Sequence, residues 1–288
     1  NRQDSLTSAI QGNDPGSPKA TCKTPVGRTY DLGKNLGMLG TPGIFTERGE
    51  YITGYRPPAQ LLEVLRTGEV RAWGDNSKGA CSVPSNLPAA RQVAAGYDYS
   101  AALTQDGRVL GWGSNTNGEI SVPTTLGPVS QIATARSGGA HMMALRLDGT
   151  VACWGGNTSA ECAVPEGLAD VVQVSAGWGF SVALRANGVV ESWGFSGNGQ
   201  CGPGGGRAIR QLAAGAAHAL SLFEDGTVRA WGMSSSMTGF GTEVTTQTVP
   251  AGLNNVAFVA AGRYHCIAGR QDGSVVCWGK NFSGQCSV

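Results

Sequence analysis

The stretch Asp148-Gly149-Thr150-Val151-Ala152-Cys153-Trp154-Gly155 decides the fold, because its pattern recurs along the chain. Asp-Gly and Asn-Gly pairs accommodate the positive φ angles of a type I′ turn, so each copy of the pattern predicts a tight β-hairpin. Six residues separate the first turn residue from the Trp in every copy. The six Trp-Gly pairs begin at Trp73, Trp112, Trp154, Trp193, Trp231 and Trp278, and the preceding turn pairs begin at Thr67, Asp106, Asp148, Asn187, Asp225 and Asp272.

The repeat unit is about 39 residues long, since the intervals between the Trp-Gly pairs are 39, 42, 39, 38 and 47 residues. Insertions are confined to two loops, 124–138 and 233–248. A unit of this length, with one hairpin and further short apolar strands, is typical of a four-stranded β-propeller blade. We therefore predict an all-β fold, a single seven-bladed β-propeller over 26–288, with six blades as the alternative. Residues 67–288 hold the six clear repeats, 26–66 a degenerate blade that closes the ring, and 1–25 an N-terminal arm.

Composition agrees with a turn-rich β protein and excludes several classes of function. Gly is 45 of 288 residues, about twice its average share, and each Gly weakens a helix interior. The formal net charge of +1 offers no basic surface for nucleic acid, and no apolar run is long enough to span a bilayer. The chain begins with Asn1 rather than Met and shows no signal-peptide stretch, which suggests a processed chain or a fragment.

The repeated pattern Asp-Gly-x-Val-x-x-Trp-Gly-x-Asn, followed by Ala-Ala-Gly-x-x-His-x-x-Ala-Leu, resembles the regulator of chromosome condensation repeat family. The resemblance spans about 67–288 and implies a seven-bladed propeller. The family includes an intracellular guanine-nucleotide exchange factor and a secreted β-lactamase inhibitor protein. Repeats near 39 residues resemble the short inhibitor type, and the longest insertion, about eight residues, is not the large β-wedge of the exchange factor. A shared fold alone does not assign a function.

The three histidines, His141, His218 and His265, occupy one repeat position, where other units have Tyr99 and Phe180. We interpret them as packed, hydrogen-bonded structural residues, because radial repetition would hold them too far apart for one metal ion. The segment Gly197-Asn198-Gly199-Gln200-Cys201-Gly202 matches a dinucleotide-binding fingerprint, but no strand-to-helix unit surrounds it. The sequence thus predicts no metal, no cofactor and no catalytic residue, and hence no enzyme.

Eight cysteines lie at aligned positions, and none forms a Cys-x-x-Cys pair. Cys153 and Cys162, and likewise Cys277 and Cys286, are nine residues apart and flank the Trp-Gly of their own unit, so each pair could close an intra-blade disulfide. The alternative is that the second position is an apolar core position, since Cys81 and Cys201 also occupy it. The pairing of Cys22, Cys81, Cys201 and Cys266 stays open.

Two glycosylation sequons follow the Trp-Gly of the two units with paired cysteines. They begin at Asn157 and Asn281. Together with the even number of cysteines, they favour an extracellular or secretory location.

Trp178 is the one tryptophan outside the repeat, and it lies in the short loop between Gly177 and the ring position Phe180. Loops of successive blades gather on one face of a propeller, and Trp, Tyr and Arg are enriched at interface hot spots. We expect a partner-binding face formed by Tyr97, Asp98, Trp178, Arg263 and Tyr264. The alternative is that these rings cover the mouth of the central channel.

These observations favour a secreted, non-enzymatic module for protein binding or structural assembly, with another protein as partner, no nucleic acid and no membrane insertion. One alternative is a guanine-nucleotide exchange factor for a small GTPase. Another is a protein inhibitor of an extracellular enzyme.

Overall fold

Five of the predicted tight turns join two strands of an antiparallel sheet in the computed structural model. The structure describes residues 43–45, 51–53, 70–72, 74–135, 140–202, 208–232, 248–281, 284 and 286–287. Within these ranges the fold is all-β, and no helix that could cross a membrane is present. The turn at 67–68 and Trp73 lie outside them.

The strands of the described residues form five three-stranded antiparallel sheets, which are propeller blades, and one hairpin. The hairpin pairs β1 (Gly43–Phe45) with β2 (Tyr51–Thr53). Blade 1 contains β3 (Ala90–Ala95), β4 (Tyr99–Thr104) and β5 (Val109–Gly113); blade 2 contains β6 (Val129–Thr134), β7 (His141–Arg146) and β8 (Val151–Gly155); blade 3 contains β9 (Val171–Ala176), β10 (Phe180–Arg185) and β11 (Val190–Gly194); blade 4 contains β12 (Ile209–Ala214), β13 (His218–Phe223) and β14 (Val228–Gly232); blade 5 contains β15 (Val256–Ala261), β16 (His265–Arg270) and β17 (Val275–Gly279).

The tight turn of blade 2 shows why the repeat needs Asp-Gly. Gly149 has a φ of +79°, which side chains rarely adopt, and its N–H donates to the Arg146 carbonyl at 3.1 Å. The Asp148 carboxylate accepts a hydrogen bond from the Thr150 N–H at 2.9 Å. The turn thereby sets the register of β7 and β8, in which Leu145 lies opposite Val151 and Met142 opposite Trp154.

Each described blade has three strands, so the expectation of four was wrong for the described residues. After the third strand of blade 1 the chain makes consecutive tight turns, in which Gly118 N–H donates to Asn115 and Leu126 N–H to Pro123. Another sheet strand is disfavoured in this segment, because Gly118 and Gly127 have positive φ angles and Pro123 has no N–H to donate.

In the part of the chain that the structure describes, the hydrophobic core is divided into four clusters, each between two consecutive blades. In the first cluster Tyr99 and Leu103 of blade 1 pack with Ile132, Met142 and Trp154 of blade 2. The first strands of neighbouring blades lie against each other, which places them on the inner side of the propeller. Burial between blades, rather than within one blade, therefore stabilises the fold.

Repeated polar contacts join the blades as well. The Trp indole of each of blades 1 to 4 donates to a backbone carbonyl of the preceding unit, for example Trp154 Nε1 to Glu119 O at 3.0 Å and Trp193 Nε1 to Glu161 O at 2.8 Å. In blades 1 to 4 a Gln at the third position of the first strand binds the next blade. The amide of Gln173 donates to Leu212 O at 2.9 Å and accepts from Leu212 N at 2.7 Å, and Gln92, Gln131 and Gln211 make the same pair of bonds.

The predicted arm 1–25 lies outside the described residues, as does the predicted degenerate blade 26–66 apart from the β1–β2 hairpin. Strand β2 of that hairpin lies near β3 of blade 1. The blade count of seven stays a prediction, because the described ranges contain five three-stranded blades.

Candidate functional site

The candidate site is built from the loops that join the first and second strands of the blades. We call these the inner loops: 96–98 in blade 1, 177–179 in blade 3, 215–217 in blade 4 and 262–264 in blade 5. The corresponding loop of blade 2 includes 136–139, which lie outside the described residues. In blade 3 the Gly177 N–H donates to Phe180 O at 2.9 Å, so the loop closes directly onto buried strand residues.

The inner loops of blades 3, 4 and 5 are joined through their backbones. The Trp178 N–H donates to Ala216 O at 2.9 Å, and the Ala216 N–H donates to Arg263 O at 3.2 Å. The backbone of the buried Ala216 therefore links Trp178 to Arg263, although these two predicted site residues are 85 positions apart in sequence. The Trp178 side chain is half exposed.

Tyr264 is the centre of a small cationic cluster. Its ring centroid lies 5.1 Å from the Arg263 guanidinium carbon and 5.2 Å from Lys280 Nζ. The Lys280 N–H also donates to Tyr264 O at 2.7 Å, which ties the end of β17 to the inner loop. Cation–π attraction holds both charges beside the ring at an accessible surface.

Phe195 also belongs to this face, although it is not among the five residues predicted from the sequence. It is 45% exposed, and its N–H donates to Gly179 O at 2.7 Å, the same contact that Lys280 makes in blade 5. The sequence does contain an indication of its role, at the position that follows each Trp-Gly. That position varies among the units, and Phe195 is its only aromatic residue.

Tyr97 and Asp98 occupy the equivalent inner loop of blade 1. Tyr97 is 66% exposed, and Asp98 O accepts from the Ser114 N–H at 2.9 Å. The structure therefore places all five predicted residues in equivalent loops. It connects Trp178 to Arg263 and Tyr264 by described contacts. The inner loop of blade 2, which lies between those of blades 1 and 3 in the sequence, includes residues 136–139, and these lie outside the described residues.

The histidine position forms contacts between blades. His141 and His218 are buried, and burial lowers the pKa of each to about 4, with nearby His265 as a second cause for His218. His141 Nε2 lies 3.1 Å from Ser181 Oγ, and His218 Nε2 lies 3.2 Å from Cys266 Sγ. Burial also raises the pKa of the Cys266 thiol. A neutral imidazole beside a protonated thiol is not an activated nucleophile.

Two buried glutamates occupy the loops that follow the tryptophans. Glu119 Oε2 accepts from the Asn117 N–H and Glu161 Oε2 from the Ser159 N–H, both at 2.6 Å. Each carboxylate thus stabilises its own loop, and the two belong to different units. Across the described ranges, no group of three His, Cys, Asp or Glu residues is arranged to hold a metal ion.

The two predicted cysteine pairs lie at disulfide distance. Cys153 with Cys162, and Cys277 with Cys286, are disulfide-bonded with Cα–Cα distances of 5.1 and 5.0 Å. The same two positions in blade 1 are Gly111 and Ile120, where a Cβ on Gly111 would stand 2.8 Å from the Ile120 Cβ. Each disulfide therefore joins two positions that also lie close together in blade 1, which has no disulfide. Within the described residues Cys81, Cys201 and Cys266 form no disulfide, and Cys22 lies outside these residues.

The asparagine side chains of both sequons accept a backbone hydrogen bond within their own loop. Asn157 Oδ1 accepts from the Cys162 N–H at 2.8 Å, and Asn281 Oδ1 accepts from the Cys286 N–H at 2.6 Å. Asn76 and Asn115, outside any sequon, make the equivalent bond. Ser283 of the second sequon lies outside the described residues, and glycosylation stays a prediction.

Four stretches of the chain match the model of the Regulator of chromosome condensation (RCC1) repeat: residues 90–119, 171–200, 209–236 and 256–285. The chain belongs to the RCC1-repeat β-propeller family. The matched repeats do not distinguish the short-repeat inhibitor branch, and that finer assignment stays a prediction.

Solved structures share the fold of this RCC1-repeat protein. Prp20p from Saccharomyces cerevisiae is 23% identical with a TM-score of 0.61, and the match covers 74% of this chain and 68% of that chain. The ectodomain of the receptor kinase CR4 from Physcomitrella patens is 21% identical with a TM-score of 0.61, covering 84% of this chain and 61% of that chain. At these identities the likeness shows the fold alone.

A short part of the chain is also similar to a protein of another kind. Thiol:disulfide interchange protein DsbC of Dickeya dadantii is 41% identical to the RCC1-repeat chain over 64 residues, which are 22% of this chain and 26% of that protein. The chain spans about a quarter of the length of such curated relatives.

Proposed function

We propose that this chain is a non-enzymatic, secreted protein-binding module whose inner-loop face contacts a partner protein. One observation supports the proposal most directly: Trp178, with 49% of its surface exposed, stands on a loop hydrogen-bonded to both its own blade and the next. Large aromatic side chains on rigid loops bury much surface at little cost in conformational entropy, which is the character of interface hot spots.

Two further observations support an extracellular setting for the module. The disulfides of blades 2 and 5 suit an oxidising compartment, and the similar CR4 structure is a receptor ectodomain. The match to a thiol:disulfide interchange protein does not favour redox catalysis here, because the sequence contains no Cys-x-x-Cys pair, the usual motif of such enzymes.

The alternative function is guanine-nucleotide exchange on a small GTPase. It is favoured by the similarity to Prp20p, whose structure is reported together with binding to Gsp1p and histones. An assay of nucleotide release separates the two functions, since a binding module or an enzyme inhibitor would leave the release rate of the GTPase unchanged.

Alanine substitution of the face tests the proposal on the partner that co-purifies from the native source. We expect Trp178→Ala and Tyr264→Ala each to weaken its binding by roughly tenfold to thirtyfold, the range of a moderate hot spot. The melting temperature should stay unchanged, because both side chains are accessible. Leu147→Ala is the matched control, as Leu147 is 68% exposed beside the tight turn at the other end of its strand. Unaltered affinity in both face variants would contradict the proposal.

A further inference from the structure

The sequon that follows blade 2 lies against the inner loop of blade 3. A Cβ on Gly179, the residue after Trp178, would stand 3.4 Å from Ser159 Oγ and 3.5 Å from Phe195 Cβ. Ser159 is the third residue of the sequon that begins at Asn157. Consecutive Cα atoms are about 3.8 Å apart, so the Cα atoms of these two sequon residues are separated by at most about 7.6 Å. The sequon therefore borders the aromatic part of the inner-loop face.

The Asn157 side chain has an unoccupied nitrogen, the atom that a glycan would take. Three equivalent asparagines accept a backbone N–H with Oδ1 and donate from Nδ2 to a serine hydroxyl six positions later. These are Asn76 to Ser82 and Asn115 to Ser121, both at 3.0 Å, and Asn281 to Ser287 at 3.4 Å. Ala163 has the serine position after blade 2, so within the described residues the exposed Asn157 makes only the first bond, to the Cys162 N–H. A sugar on Asn157 Nδ2 displaces no hydrogen bond of the loop.

Phe195 presents a fixed apolar surface beside the sequon. A Cβ on Gly197 would stand 2.7 Å from Phe195 Cζ, so the ring lies over this glycine and one of its sides faces its own loop. The residue is nevertheless 45% exposed. An aromatic ring held in this way offers a large apolar area to a neighbouring group, and the C–H groups on one side of a sugar ring pack well on such a surface.

We propose that Asn157 carries an N-linked glycan whose first sugars pack on the Phe195 ring. In the transfer, Asn157 Nδ2 attacks C1 of the first sugar of a lipid-linked oligosaccharide diphosphate. The Nδ2–C1 bond forms, the C1–O bond breaks with its electron pair on the departing diphosphate, and Nδ2 gives up one of its two protons. Asn157 Oδ1 keeps its bond with the Cys162 N–H.

This inference rests on the proposed function, because N-glycosylation takes place in the secretory pathway. It also narrows the surface that the partner protein contacts. A glycan over Phe195 covers that part of the inner-loop face, so the partner contacts Trp178 and the inner loops of blades 4 and 5.

Glycopeptide mass spectrometry tests the modification on the full chain, secreted from a eukaryotic host behind a cleavable signal peptide. The matched variant is Ser159→Ala. It destroys the sequon but keeps the Asn157 Oδ1 bond and the backbone N–H at 159 that donates to Glu161. We expect a glycan on Asn157 in the unaltered chain and none at this position in the variant.

Hydroxyl-radical footprinting tests where the glycan lies. Phe195 should be oxidised about threefold more slowly in the glycosylated chain than in Ser159→Ala, because the packed sugar covers the exposed part of the ring. Enzymatic removal of the glycan from the folded, unaltered chain should restore the faster rate, which separates the glycan from any direct effect of the substitution. Tyr97, 66% exposed in blade 1, is the internal control and should react equally in all three samples.

Two results would overturn the inference. One is an unmodified Asn157 in the secreted chain. The other is a glycan on Asn157 that leaves the oxidation rate of Phe195 unchanged. Neither result bears on the partner protein, so if Trp178→Ala still weakened partner binding, the proposed function would stand while this inference failed.

Discussion

At the scale of single residues, one position of the repeat determines how neighbouring blades meet. Tyr99, His141, Phe180 and His218 all fill it with a buried ring. Tyr99 donates its hydroxyl to His141 O at 2.7 Å, and the two imidazoles contact a side chain of the following blade. Because the rings are enclosed, the two histidines fold in the neutral form.

The buried histidines predict a stability that falls in mild acid. In the unfolded chain they bind a proton below pH 6.5, whereas in the fold they stay neutral until about pH 4. Stability is therefore complete above pH 6.5 and declines as the pH falls from 6.5 toward 4. We expect each histidine to reduce the free energy of unfolding by about 2 kcal/mol between pH 7 and pH 5.

Denaturant unfolding at pH 7, 6 and 5 measures this effect. The control is His141→Phe, which places at 141 the residue that blade 3 has at position 180. That variant should show about half the decline with pH. An identical decline in the variant and the unaltered chain would show that His141 is not the group that titrates.

At the scale of elements, the glutamines of the first strands link each blade to the next. The series covers Gln92, Gln131, Gln173 and Gln211 and ends in blade 5, where Phe258 has the position. There Gly269 replaces the leucine of the other middle strands, and a Cβ on it would collide with the Phe258 ring. The large Phe258 ring therefore occupies the space that a leucine at position 269 would fill. With Phe in place of Gln, blade 5 lacks the amide that blades 1–4 present to the next blade.

The central glutamine predicts a measurable link between blades 3 and 4. Gln173→Met keeps the side-chain volume but leaves Leu212 N and O without their partner, so we expect a loss of about 2–3 kcal/mol in the free energy of unfolding. Gln105→Met is the control, because the Gln105 side chain is exposed at a tight turn. Equal stability of the two variants would show that the amide contact contributes nothing.

At the scale of the whole molecule, the two disulfides are compatible with an extracellular location, and their state in the purified chain would separate the proposed secreted module from an intracellular exchange factor. Each closes a loop of nine residues within one unit, and by loop-closure entropy each stabilises the fold by about 2–3 kcal/mol. They lie in blades 2 and 5, and the free Cys81 and Cys201 stand at the equivalent second position of other units.

Thiol titration of the purified chain checks this arrangement. In denaturant without reductant we expect no more than four of the eight cysteines to react with a maleimide, since Cys153, Cys162, Cys277 and Cys286 are paired. After reduction all eight should react, and the melting temperature of the reduced native chain should be lower. Eight reactive thiols without reductant would contradict both the pairing and the oxidising compartment.

Much of the fold could be predicted from local spacing. The six-residue distance from turn to Trp sets one hairpin, and the nine-residue distance between cysteines spans one loop, so both are contained in a single unit. The glutamine series was equally periodic in sequence, at the third residue of each first strand, but its hydrogen bonds are made between units. Periodicity therefore indicated the position without indicating its partner.

The sequence by itself determined the propeller, its tight turns and the place of its buried rings, because these depend on residues a few positions apart and recur in every unit. Only the tertiary structure decided that each described blade has three strands. It also decided that Phe195 and Lys280 join the inner-loop face, and that Ala216 bridges Trp178 to Arg263. The physical reason is that a surface is assembled from residues of different blades, and their proximity follows from how the blades pack.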